Sequence, residues 1–335
     1  MFYYPFLTPR SKHEGNVANL IFPLDLPRCL HRALALPEKN LGLPGYDSRP
    51  YPTPCEGRLA GRQHGFFSGT AAQLGIRLTV HDSQNDVNNQ IAAFHTSIED
   101  PEVNVIILAA LEMTGWDDVL MEARASGKIV ILQDFRIDAR TDLYATYVGP
   151  DFVEEGRMAA EALCKLLGSG EGKTVWELVG NIGSAVAKDR GQGFREKMGE
   201  FGIVFAGPNV PHWSITEGKQ LVEDLVKETT DIQGLFAQHD ELALGAIEAI
   251  KEAGLRPGND IKIVSIDGTR SAFDAMLAGE LNATVECNPR LGPLAFDAAL
   301  RALNGEELPK WIRIEEEIFY ADMPDLLQIA SSRTY

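Results

Sequence analysis

The sequence predicts an α/β protein of two lobes, each built on a parallel sheet, and three observations carry that prediction. The chain has 335 residues, more than one hydrophobic core usually organises, which points to two lobes of roughly 150 residues each. From Gly75 onward, short β-branched runs alternate with amphipathic stretches of helical length, the pattern of consecutive βαβ units. Hydrophobic residues make up 44% of the chain and charged residues 24%, so each lobe has apolar material enough for a core.

The start of the chain fits this pattern worst. Prolines and arginines interrupt any period in the first seventy residues, and the buried first strand expected before the helix that ends near Leu74 is not recognisable. Residues 1–40 are therefore expected to be an atypical segment, either disordered or translated in the wrong frame. Beyond it, Ile76–Val80, Val103–Ala109, Lys128–Gln133, Thr174–Val179, Gly234–Gln238 and Ile261–Ile266 read as buried strands. The helices between them are Asp86–Ile98, Gly115–Ala125, Phe152–Leu167, Ala187–Glu200, Thr216–Lys227, Glu241–Ala253 and Pro289–Leu303. In Glu241–Ala253, Leu242, Leu244, Ala246, Ile247 and Ile250 make one apolar side while Glu248, Lys251 and Glu252 face out. Gly254 supplies a left-handed stop, and Pro257-Gly258-Asn259-Asp260 turns the chain into the next strand. The rhythm breaks between Asp134 and Gly149, read as a first crossing between lobes. Further crossings are expected near Glu286 and near Trp311, the last leading into an alternating strand Ile312–Phe319. The expected lobes are 41–137 with 287–311, and 138–286 with 312–330.

Lys plus Arg is 31 against Asp plus Glu 48, a formal charge of -17. A field of that sign repels nucleic-acid phosphates and anionic lipid, so no nucleic-acid partner is expected. The acids are spread along the chain, as on a solvated surface. Cys29, Cys55, Cys164 and Cys287 show neither close pairing nor zinc-site spacing, and no metal or other cofactor is expected. Cys164 sits in an apolar helical run and reads as a small buried hydrophobe. No run of apolar residues is long enough to span a bilayer, and the opening MFYYPFLTPRSKHEG lacks the basic start and unbroken apolar stretch of a secretory signal.

Catalytic motifs are missing: there is no nucleophile elbow, P-loop, zincin helix or dinucleotide fingerprint. Gly180-Asn181-Ile182-Gly183-Ser184, between a strand and a helix, is either an anion cradle or a tight turn for close packing, with the turn favoured. What recurs instead is polar and charged residues at the carboxyl ends of strands, where open α/β sheets hold their ligands. Asp134 follows KIVILQ, Arg190 lies early in the helix after TVWELV, His239 and Asp240 follow GLFAQ, and Asp267 follows IKIVSI. Each has an ordinary structural reading: Asp240 as a helix N-cap, Asp267 as the start of an Asp-Gly turn, Arg190 in a surface salt bridge. Together they make the inventory a sugar needs, because hydroxyls both donate and accept and an aromatic face covers the C–H surface. Trp213 is the aromatic candidate, or else a core residue at the start of the next helix.

The segments DSQNDVNNQI (82–91), TGWDDVLMEA (114–123), ELVGNIGSAVAKDRGQGF (177–194), HDELALGAIEAIKEAGLRPGNDI (239–261), SIDG (265–268) and ATVECNPRLGPLAFDA (283–298) resemble the ribose-type periplasmic sugar-binding proteins of ABC transporters. The galactofuranose-binding branch is the most similar. The resemblance implies the type I periplasmic binding protein fold, two Rossmann-like lobes joined by a three-strand hinge, a monosaccharide held in the cleft, and a permease that recognises the closed form. It implies a monomer located in the periplasm or outside the cell. Asp134 matches the Asp of the family's first-lobe Asp-Arg pair, but the Arg position is Phe135, with Arg136 one residue later. Because a strand alternates its faces, Arg136 does not simply replace the missing contact. Arg190 matches the second-lobe Arg, Trp213 the stacking aromatic and Asp267 the carboxylate, while His239 stands where the family has Asn. The expected function is thus binding without catalysis. Three alternatives stand beside it: the effector domain of a lac-repressor-type regulator lacking its DNA-binding segment, a hydrolase using Asp134 and Asp267 as a carboxylate pair, and a frame-shifted, non-functional binding protein. The regulator expects a helix-turn-helix in the first sixty residues, where prolines stand at 5, 9, 23, 27, 37, 44, 50, 52 and 54 instead.

Overall fold

The structure, a computed structural model, describes residues 17–22, 67–84, 86–168, 172–180, 184–201, 204–205, 213–229 and 231–335. Two compact units divide these residues. The chain passes from one to the other after Tyr147, Pro289 and Trp311.

The first unit holds a six-stranded sheet in the order β2-β1-β3-β4-β5-β11, with β1 Val17–Phe22, β2 Arg77–Asp82, β3 Val103–Leu108, β4 Ile129–Gln133, β5 Thr146–Gly149 and β11 Trp311–Arg313. The opening order 2-1-3-4-5 is that of a doubly wound fold whose switch point lies between its first and third strands. Strand β1 corrects the sequence reading. Residues VANLIF pair in parallel with β2 on one side and β3 on the other, so the missing first strand lies inside the segment expected to be unstructured. Six mostly apolar residues are all a central strand needs, and a run so short, set among prolines and basic residues, carries no periodic signal. The wrong-frame expectation for the rest of that segment, with Cys29 and Cys55, lies outside the described residues. Helical residues 67–74 (α1), α2 Val87–Glu99, α3 Asp117–Ala125 and α9 Gly292–Leu303 complete the unit. Phe94, Ile106, Leu108, Trp116, Leu120 and Leu132 are buried in one of its cores.

The second unit repeats the plan. Its sheet runs β7-β6-β8-β9-β10-β12, again 2-1-3-4-5, with β12 antiparallel to β10 at the edge. The elements are α4 Phe152–Leu167, β6 Thr174–Leu178, α5 Ala185–Glu200, β7 Val204–Phe205, α6 Ile215–Glu228, β8 Gly234–Ala237, α7 Asp240–Glu252, β9 Lys262–Asp267, α8 Arg270–Leu277, β10 Ala283–Glu286, β12 Ile318–Tyr320 and α10 Leu326–Ser332. The single strand expected over Ile312–Phe319 is in fact two, β11 and β12, in different sheets. Three consecutive glutamates, Glu315 to Glu317, interrupt the run, and charged residues in succession cannot all be satisfied within one buried strand. Helices α4 and α5 touch backbone to backbone: a Cβ on Gly156 would lie 1.9 Å from the Arg190 carbonyl oxygen, and one on Gly193 1.8 Å from that of Val153. Only glycine permits that approach, and it brings the first turns of α4 against the middle of α5.

Candidate ligand-binding site

The second unit gathers four of the expected residues at the carboxyl ends of β6, β8 and β9, beside its switch point. Arg190, on α5, is not the surface residue of its simplest reading; it is 3% exposed. Its guanidinium is used on three sides, with Nε donating to Glu155 Oε2 (2.6 Å), one terminal nitrogen to the Gln238 carbonyl (2.7 Å) and the other to Asp267 Oδ1 (3.3 Å). Burial opposes its charge, but the carboxylates of Glu155 and Asp267 outweigh burial and hold its pKa above the ordinary value.

Asp267 ends β9 at φ 127, a region L residues seldom occupy, and Gly268 follows at φ 69. The unusual backbone turns the carboxylate into the site, a strain that surrounding contacts must hold. Its Oδ2 accepts from the Asp240 backbone N–H (3.2 Å) and lies 3.2 Å from His239 Nε2. Burial pushes this carboxyl up to about 7, against the pull of Arg190 and the Asp240 amide.

His239, rather than Asp240, caps α7: its Nδ1 accepts from the Glu241 N–H at 3.1 Å. That bond fixes the proton on Nε2, facing Asp267. Burial lowers the imidazole to about 4, so it is neutral at physiological pH. Asp240 is buried beneath it, accepting from Ser265 Oγ (2.5 Å), Thr284 Oγ1 (2.9 Å) and the Thr269 N–H (2.7 Å). A short polar cap was expected at this helix start, but Asp240 points back into the sheet and leaves the task to its neighbour.

Trp213 precedes α6, whose cap is Ser214. Its ring lies 5.5 Å from the His239 ring, and a Cβ on Gly180 would fall 1.9 Å from its Cζ3. Gly180 therefore serves as a seat for the indole; Asn181, Ile182 and Gly183 lie outside the described residues, and Ser184 caps α5. Beneath this, Gln238 ties the strand ends together. Its amide donates to Glu177 Oε1 (2.5 Å) and the Ala187 carbonyl (3.0 Å) and accepts from the Gly180 N–H (3.1 Å).

The other three expected residues belong to the first unit. Asp134 directly follows β4 at φ 65, and its carbonyl accepts from Tyr147 OH at 2.9 Å. That conformation ends the strand alternation at Gln133, so Phe135 and Arg136 follow a turn, with Phe135 N donating to the Gln133 carbonyl at 2.7 Å. The Arg136 guanidinium stands 5.8 Å from the centre of the Trp311 ring.

Sequence reasoning missed Glu155, Gln238 and Glu316. Gln238 stands at a strand end and was open to the rule that found His239. Glu155 and Glu316 carried no local signal. Among the described residues, Glu155, Cys287 and Glu316 bring potential metal-ligand atoms within 4.8 Å of one another. The Arg190 guanidinium already supplies the positive charge beside Glu155.

Residues 65–307 match the family described as periplasmic binding protein domain. The galactofuranose-binding protein YtfQ of Escherichia coli is 34% identical over 266 residues, 76% of this chain and 80% of that protein. The fructose import binding protein FruE of Bifidobacterium longum is 34% identical over 254 residues, 74% of this chain and 76% of that one. Among solved structures, the periplasmic binding protein component of the arabinose ABC transporter of Shewanella sp. ANA-3, bound to α- and β-L-arabinofuranose, aligns with a TM-score of 0.79 at 29% identity, covering 95% of this chain and 96% of that one. With its two α/β lobes of parallel sheet in the type I arrangement, the chain belongs to the periplasmic binding protein domain family.

Proposed function

We propose that the protein is the solute-binding component of an ABC sugar importer and captures a monosaccharide, in furanose form, without acting on it chemically. The observation that carries this reading is the convergence of Arg190, His239 and Asp267 beside the Trp213 ring. A guanidinium, a neutral imidazole and a carboxylate offer donors and acceptors at fixed angles, and the indole offers a flat apolar face; sugar hydroxyls and C–H surface are complementary to that set. Galactofuranose and arabinofuranose in the names of two similar proteins favour the five-membered ring. Asp134, Phe135 and Arg136 are proposed as the first unit's contribution, with Phe135 replacing a hydrogen-bonding Arg by an apolar surface.

Binding is proposed to drive hinge closure, and the closed monomer to be what a permease recognises, in the periplasm or at the outer cell surface. Titration calorimetry of the intact chain against D-galactose, L-arabinose, D-ribose, D-fructose and D-fucose tests the reading. A saturable response is expected from sugars with an accessible furanose form, together with a smaller radius of gyration in solution scattering. A flat response across the panel would refute it. Release of product from aryl glycosides would favour the hydrolase instead.

A further inference from the structure

After β11 the chain carries Glu315, Glu316 and Glu317; the outer two are exposed and Glu316 turns inward. Its Oε1 is buried with no hydrogen-bond partner, and the same holds for Oε1 of the fully buried Glu155. One carboxyl oxygen of each lies within 4.8 Å of the other. Two ionised carboxylates so close and so dry repel each other, and neither supplies a donor for the other's lone pairs. A proton held between them removes both difficulties, because one group becomes a donor and the pair carries a single charge.

A divalent cation bound also to Cys287 Sγ would be the other solution. It is the weaker one here, because Glu155 Oε2 already takes the Arg190 Nε–H at 2.6 Å and a second cation would sit against the guanidinium. The groups facing Glu316 agree with a need for neutrality: Glu155 from α4, Arg190 from α5, and Glu286 and Cys287 at the end of β10. Glu286 is itself held by Arg333 and Tyr335, and Asp267 lies on the far side of Arg190.

We propose that Glu316 is a positioning residue: it persists as a neutral carboxylic acid, donates its proton to Glu155, and so fixes the carboxylate that aims Arg190 at the sugar. This rests on the reading of Arg190 as a ligand contact, but the proton itself is measurable in the sugar-free protein. Infrared spectra of the intact, chelator-treated chain with 13C-labelled Glu carboxyls should show a protonated carboxylic C=O band at neutral pH that disappears in Glu316→Gln. Its absence from the native protein overturns the proposal. The amide of Glu316→Gln retains a donor, so affinity for whichever sugar the panel identifies should stay within about threefold of native, whereas Glu316→Leu should lose about tenfold or more. Equal losses in both variants, with both melting cooperatively, overturn the positioning role. Stoichiometric Zn2+ binding that Cys287→Ser abolishes overturns the shared proton in favour of a metal centre. A sugar panel without response counts against the functional reading alone, since the infrared band still decides the state of Glu316.

Discussion

A neutral imidazole at position 239 and two carboxyls that resist ionisation, Asp240 at about 6 and Asp267 at about 7, make the site's electrostatics pH-dependent with opposing signs. Burial is the leading cause for all three. The His239 pKa is depressed in the folded state, so its contribution to stability is complete above about 6.5 and is lost as the pH falls through about 4. The aspartates are raised, so theirs is complete below about 3.8 and is lost as the pH rises through about 6 and 7. His239→Asn removes the component that grows with pH. Its melting temperature should therefore fall relative to native between pH 4 and 6.5, by the equivalent of about 3 kcal/mol at most. Parallel melting curves across that range would contradict the buried neutral imidazole. Gly180→Ala places a methyl inside the Trp213 ring. It should cost about 1–3 kcal/mol and shift tryptophan fluorescence, with sugar affinity falling by about tenfold. His239 and Asp267 were legible because strand-end polar residues are visible in the sequence; the seat that Gly180 makes for an indole more than thirty residues away was not.

Helix packing sets where Arg190 sits. The α4–α5 contact depends on Gly156 and Gly193, whose missing side chains let Glu155 on one helix reach Arg190 on the other. Gly193→Ala should lower stability by about 1–3 kcal/mol and weaken sugar binding in the same variant, measured by denaturant unfolding and calorimetry. Gly199→Ala, on the same helix but facing open space, should instead stabilise by about 0.5–1 kcal/mol because alanine loses less backbone freedom on folding. A like effect from the two substitutions would deny the packing argument. The long periodic elements were readable from their apolar spacing; α4 begins and ends where expected, at Phe152 and Leu167. Short ones were not: β1, β7, β10, α8 and α10 are too brief for a period to register, and the partners on either side of them decide their conformation.

A strongly acidic composition is combined, among the described residues, with a fully buried cationic side chain. That side chain is Arg190 in the second unit, paired with Glu155 and Asp267. Arg190→Met leaves two buried carboxylates without their counter-ion and should cost about 3–5 kcal/mol together with measurable sugar binding. Retained affinity in a folded Arg190→Met protein would remove Arg190 from the proposed ligand contacts. Many of the described charged residues lie on solvated faces, as in the exposed i,i+4 pairs Arg256–Asp260 and Arg270–Asp274, which contribute little to stability.

By itself the sequence determined the α/β class, the order of the long strands and helices, and the strand ends at which polar residues cluster, because periodicity and turn chemistry are local properties of the chain. Tertiary structure alone decided that VANLIF is a central strand, that His239 and not Asp240 caps α7, and that Glu316 meets Glu155 across 161 positions of sequence. Those outcomes depend on which distant groups exclude water from one another, and burial is a property of the folded chain that no local pattern encodes.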